Sequence, residues 1–122
     1  MIRAATAVLG FTDVRAAADY FRDVLGFTVE NLVNEPPTFG VLIRDQAELF
    51  LQRVPTPRPF DLRAWSLYLH CADARALHDE ATAKGAEVSS PLVDKTYGMR
   101  EFELAGPENT VIVFGQPIRR AD

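Results

Sequence analysis

The sequence is short of the residues that several protein classes require. It has one cysteine, Cys71, in 122 residues, so it forms no internal disulfide and cannot supply a zinc ribbon. It has no excess of positive charge. Thirteen Lys plus Arg stand against seventeen Asp plus Glu, a formal net charge of −4, whereas a nucleic-acid partner calls for clustered basic surface. No apolar run approaches the roughly 20 residues that span a bilayer. Met1 to Leu9 holds one arginine and a short apolar stretch before strand-like alternation sets in, which does not match a signal peptide. The sequence thus leads to the expectation of a cytoplasmic protein with no membrane and no nucleic-acid partner. Phosphate-cradling glycine loops are missing too, because Gly98 and Gly106 stand isolated.

What is present is ordinary globular composition, with 48% hydrophobic and 25% charged residues, enough to bury a core without staples. Ala4–Leu9 is strand-like. Asp13 then precedes Val14, Ala17, Ala18, Phe21, Val24 and Leu25, the stripe of an amphipathic helix. Asp13 suits the N-cap and Gly26 the stop. Strands are predicted over Phe27–Leu32, Phe39–Ile43 and Ala47–Val54, with Pro36 and Pro37 breaking the chain between the first two.

Three prolines in Pro55-Thr56-Pro57-Arg58-Pro59 mark a linker near the midpoint. The pattern then restarts: a strand over Trp65–Cys71, a helix over Ala74–Lys84 capped by Asp73 and stopped by Gly85, and strands over Glu87–Ser89, Arg100–Leu104 and Thr110–Phe114. Ser89-Ser90 before Pro91 reads as a loop, and Gly106-Pro107-Glu108-Asn109 as a turn. At an offset of 60, Asp13-Val14-Arg15-Ala16 lies over Asp73-Ala74-Arg75-Ala76. One domain over 1–122 is expected, made of two pseudo-repeats, about 1–55 and 60–118. One helix per half covers one face of a four-stranded sheet, so the other face must meet something else.

These residues resemble a known family. Asp13 through Phe27 is similar to the first helix of the vicinal oxygen chelate superfamily, which includes glyoxalase I, extradiol dioxygenases and bleomycin-resistance proteins. Tyr97-Gly98-Met99-Arg100-Glu101-Phe102 followed by Gly106-Pro107-Glu108-Asn109 resembles the closing hairpin of the bleomycin-resistance branch. The resemblance implies an α+β fold of two βαβββ modules forming a half-open barrel, commonly in a homodimer. It also implies four metal-ligand positions in the catalytic members, which here are Thr6, Glu48, Ser66 and Val113. Only Glu48 is a strong ligand, so the expectation is no metal cofactor. A shifted or reduced site using Glu48 and His70 with Ni²⁺, Mn²⁺, Fe²⁺ or Zn²⁺ is the alternative.

Strand alternation puts Thr6, Val8, Glu48, Phe50, Ser66, Tyr68, His70, Val111 and Val113 on the faces away from the helices. His70 lies about 13 Å along its strand from Ser66 at ~3.3 Å per residue. Apolar walls with few polar groups suit a small-molecule pocket. The candidate ligand-binding residues are Glu48, Phe50, Ser66, Tyr68, His70, Tyr97, Arg100 and Val113. Phe39, Phe60, Trp65 and Met99 are further candidates to close over a planar or cationic ligand. Arg100 and Glu101 either anchor charges on a ligand or pair at a strand edge. His70 and Glu48 are the candidate acid–base residues. His78, beside Asp79 and Glu80, is expected at the solvated surface, and Cys71 faces the helix.

Three functions are compatible with this pattern. The first is a metal-independent small-molecule binding protein that withholds an antibiotic or related metabolite. The second is a glyoxalase-like lyase, isomerase or dioxygenase using Glu48, His70 and Glu101. The third is a structural dimer with a plugged barrel.

Overall fold

The computed structural model describes residues 1–118. Among these the chain forms two open four-stranded mixed sheets and two α-helices, an α+β fold of two βαβββ modules. It divides into two compact units, and Pro107–Asn109 is grouped with the first of them.

In the first unit, β1 (Ala7–Phe11) leads into α1 (Val14–Asp23), followed by β2 (Thr28–Val33), β3 (Phe39–Arg44) and β4 (Ala47–Arg53). The sheet order is β1-β4-β3-β2, with β1 parallel to β4 and the other pairs antiparallel. The helix starts where Asp13 accepts a hydrogen bond from Ala16 N at 3.0 Å. It stops before Gly26, whose φ of 70° is left-handed and cheap only without a Cβ. Arg44 Nη1 donates to the Leu25 carbonyl at 2.7 Å, satisfying a group that the helix end leaves unpaired. Val14, Ala17, Ala18 and Phe21 are buried together with Leu9, Phe11, Leu42, Leu49 and Leu51. Phe21 meets Phe11 and Phe27 edge-on, at centroid distances of 6.4 and 5.6 Å, a favoured aromatic geometry. Alternation decides the other face: Val8 is 52% exposed, whereas Leu9 beside it is 7% exposed.

The second unit repeats the order. β5 (Leu67–His70), α2 (Ala74–Ala83), β6 (Glu87–Asp94), β7 (Met99–Ala105) and β8 (Val111–Pro117) form a sheet in the order β5-β8-β7-β6. Again the first strand is parallel to the last. Asp73 accepts from Ala76 N at 3.0 Å, the same cap as in the first module. The helix-side core holds Leu67, Ala74, Ala81, Phe102, Leu104, Ile112 and Phe114. Phe102 and Phe114 stack at 4.9 Å.

Two expectations need correction. Ser89 and Ser90 are not in a loop, because β6 runs through Pro91 to Asp94. Pro91 is tolerated because β6 is the sheet edge and its pairing with β7 shifts register on both sides of Ser90; edges and bulges do not need every N–H. His78 is half-buried rather than solvated. Its ring sits edge-on to Phe102 at 5.2 Å, and Nδ1 lies 3.0 Å from the Asp79 carboxylate.

The turn at Pro107–Asn109 is also a clamp. Glu108, at φ 51°, accepts hydrogen bonds from Thr12 N and Thr12 Oγ1, both at 2.8 Å, and from Asp13 N at 3.0 Å. Asn109 Nδ2 donates to the Arg58 carbonyl at 2.8 Å.

Candidate functional site

The helix-free face of the second sheet carries most of the chemistry. Tyr68 and His70 project from β5, with Trp65 just before it, and the three rings touch in series. Trp65 and Tyr68 have centroids 5.3 Å apart, and Tyr68 and His70 4.9 Å apart. On β7, Glu101 and Glu103 alternate with Phe102 and Leu104, which are buried on the helix side. Glu101 Oε2 accepts the Tyr68 hydroxyl at 2.7 Å and Oε1 accepts the Tyr97 hydroxyl at 2.5 Å. Glu103 Oε2 accepts Trp65 Nε1–H at 3.2 Å. Tyr97 stands in the short connection between β6 and β7 and remains 59% exposed, while Glu101, to which it donates, is 1% exposed.

Gly115 makes this arrangement possible. It faces Glu101 in the β7–β8 register, and the Tyr68 hydroxyl occupies the space where a Cβ at that position would stand. The tyrosine therefore lies flat across the sheet to reach Glu101 on the far side of β8. Burial, reinforced by the Glu101 carboxylate, raises the Tyr68 hydroxyl well above the ordinary phenol range. The hydrogen bond to Glu101, with burial, pushes Tyr97 up to about 12. Both hydroxyls thus remain neutral donors at physiological pH.

The remaining candidates of this unit are placed differently. Ser66 Oγ accepts a hydrogen bond from Val111 N at 2.9 Å, pinning the start of β5 to β8. Val113, opposite both Tyr68 and Glu103, is fully buried. Arg100 does not share a face with Glu101. It alternates to the helix side and grips Asp94 through Nε at 2.7 Å and Nη2 at 3.2 Å. Cys71 is a half-buried thiol 3.6 Å from the Gly115 carbonyl, and burial raises its pKa, so it is a poor nucleophile.

In the first unit, Glu48 is exposed and accepts the Thr6 hydroxyl at 2.7 Å. Phe50 packs on Phe39 at 5.2 Å. Val8 and Val41 flank Phe50 in the register, so this face is mainly apolar.

The positions that the family resemblance aligns with metal ligands are Thr6 and Glu48 in the first unit and Ser66 and Val113 in the second. Both hydroxyls are committed, Thr6 to Glu48 and Ser66 to Val111. Of these four side chains only Glu48 is of the kind, imidazole, thiolate or carboxylate, that a divalent transition metal takes. Among the described residues no group of three His, Cys, Asp or Glu side chains is placed to hold an ion.

Alternation brings Tyr68 and His70 together as expected, and the structure adds Glu103 and Gly115 to them. Glu103 was legible, since it shares parity with Glu101. Gly115 was not, because its importance lies in a ring arriving from another strand.

The family model for the Glyoxalase/Bleomycin resistance protein/Dioxygenase superfamily matches residues 3–114. No curated protein matches. Among solved structures, TioX from Micromonospora sp. ML1 is similar with a TM-score of 0.76 and 20% identity, over 94% of this chain and 100% of that one. TnmS3, an antibiotic binding protein from Streptomyces sp. CB03234, gives 0.72 and 22%, over 96% and 98%. The bleomycin-binding protein of Streptomyces verticillus, solved with copper(II)-bleomycin, gives 0.71 and 20%, over 98% and 100%. At these identities the structures speak for the fold. With the family model spanning nearly the whole chain and both βαβββ modules in place, the chain belongs to the Glyoxalase/Bleomycin resistance protein/Dioxygenase superfamily.

Proposed function

We propose that this protein binds a small organic molecule without a metal ion and, by holding it, withholds it from its target. The observation that carries the proposal is the helix-free face of the second sheet. It presents aromatic surface at Trp65, Tyr68 and Tyr97, while three of the four positions that the resemblance aligns with metal ligands hold Thr6, Ser66 and Val113. Such a protein needs preorganised surface rather than an acid, a base or a Lewis acid. Tyr68 is preorganised by its packing over Gly115 and its hydrogen bond to Glu101. The antibiotic-binding TnmS3 and the bleomycin-binding protein, which share the fold, support an antibiotic or a related metabolite as the guest. The protein acts in the cytoplasm, as a homodimer in this proposal. No helix among the described residues is long and apolar enough to cross a membrane.

Equilibrium dialysis of chelator-treated protein against bleomycin and planar polycyclic antibiotics tests the proposal. It predicts that at least one compound is retained in the presence of EDTA and recovered chemically unchanged. Retention that appears only when a divalent metal is added, or recovery of a converted product, contradicts it.

A further inference from the structure

We propose that the helix-free face of the second sheet selects a planar organic cation, with the ring against Trp65, Tyr68 and His70 and the positive charge toward Glu101 and Glu103. The inference rests on the binding-protein proposal above and names the chemical class of the guest.

Two independent features point the same way. The first is a charge without a counter-charge. Glu101 is 1% exposed, yet among the described residues its carboxylate is met only by the hydroxyls of Tyr68 and Tyr97. Among the described residues the Glu103 carboxylate is met only by the indole N–H of Trp65. Among the described residues neither carboxylate has a Lys, Arg or His partner. The nearest arginine in sequence, Arg100, is held by Asp94 on the opposite side of its strand. A carboxylate out of water and without a cation is costly, and an incoming cation removes that cost.

The second feature is shape. Trp65, Tyr68 and His70 form a continuous run of ring contacts. Trp65 is 47% exposed and His70 is also exposed, so ring surface is open to a guest. Ring faces attract cations and stack on flat molecules. Because Gly115 lets Tyr68 lie across the sheet, the aromatic surface and the two carboxylates share one patch. An anionic guest is disfavoured by the same carboxylates. Tyr97, exposed and joined to Glu101 through its hydroxyl, is the group that a cationic guest displaces or joins.

The chain has a single tryptophan, Trp65, so its fluorescence reports on the patch directly. The experiment titrates the protein with three probes of like shape: N-methylacridinium, acridine at a pH where it is neutral, and acridine-9-carboxylate. It is repeated on Glu103→Gln, with Glu101→Gln as a second variant, each checked for native circular dichroism. The expected result is quenching by N-methylacridinium with an affinity at least about tenfold above that of acridine, the factor that one favourable charge contact supplies. Acridine-9-carboxylate binds most weakly, and Glu103→Gln removes most of the preference while leaving acridine affinity within about twofold. Equal affinities for the cation and the neutral probe, or a preference unchanged in Glu103→Gln, overturn the inference and leave the binding-protein proposal standing. No binding of any of the three to folded protein counts against both.

Discussion

Glu108 shows how much one side chain does here. Its carboxylate takes three hydrogen bonds from Thr12 and Asp13, 96 and 95 residues earlier, and holds the chain where it enters α1. Burial alone raises its pKa. The N–H groups of Thr12 and Asp13 and the Thr12 hydroxyl outweigh burial, and the carboxyl lies below its ordinary value. A depressed carboxyl contributes stability that is present above the unfolded-state pKa and is lost as pH falls through the folded-state value. Glu108→Ala is therefore expected to cost about 1–3 kcal/mol near neutrality, since it leaves the N–H groups of Thr12 and Asp13 without their acceptor. The difference from wild type should shrink in acid. Urea unfolding at neutral and acid pH checks this, and a difference that does not change with pH contradicts it. Nothing local in Gly106-Pro107-Glu108-Asn109 announces the clamp: the residues read as a turn, and the partner is supplied by tertiary structure alone.

At the scale of elements, the two helices begin in the same way, with Asp13 and Asp73 each accepting the N–H three residues on at 3.0 Å. Asp13→Ala and Asp73→Ala should each cost about 1 kcal/mol, seen as a lower midpoint in urea, and an unmoved midpoint for either contradicts the cap assignment. These caps, the helix stripes and the strand order were legible because each is written within a few adjacent residues. The end of β6 was not. Pro91 reads as a breaker, and only the position of β6 at the sheet edge, with shifted register around Ser90, lets a strand pass through it. His78 misled for a similar reason: its charged neighbours suggest solvent, but the helix turns its ring onto Phe102. Of the candidate site, alternation gave the faces of Tyr68, His70 and Glu48, whereas Arg100 and Glu101, read together as a possible ion pair, lie on opposite faces of β7, with Arg100 held by Asp94. The hydrogen bonds that join Tyr68 and Tyr97 to Glu101 cross between strands and loops, and no spacing in the sequence encodes them.

At the scale of the whole molecule, each sheet has one helix and therefore one face without one. Apolar or aromatic groups stand exposed in both units, among them Val8, Trp65 and Tyr97. Exposed apolar groups gathered on one face suit a binding or association site, and the homodimer proposed above, with two equivalent sites about a two-fold axis, would cover them. Light scattering at micromolar concentration should report about twice the chain mass of 13.6 kDa; a value near a single chain mass contradicts the dimer. The most direct test concerns the ion. Thr6, Ser66 and Val113 leave Glu48 as the lone strong ligand among the four corresponding positions. The protein is to be incubated with Ni²⁺, Mn²⁺, Fe²⁺ or Zn²⁺, desalted and assayed for metal by mass spectrometry. Far less than one ion per chain is the predicted result, and one firmly held ion per chain would contradict it and restore the metal-dependent enzyme.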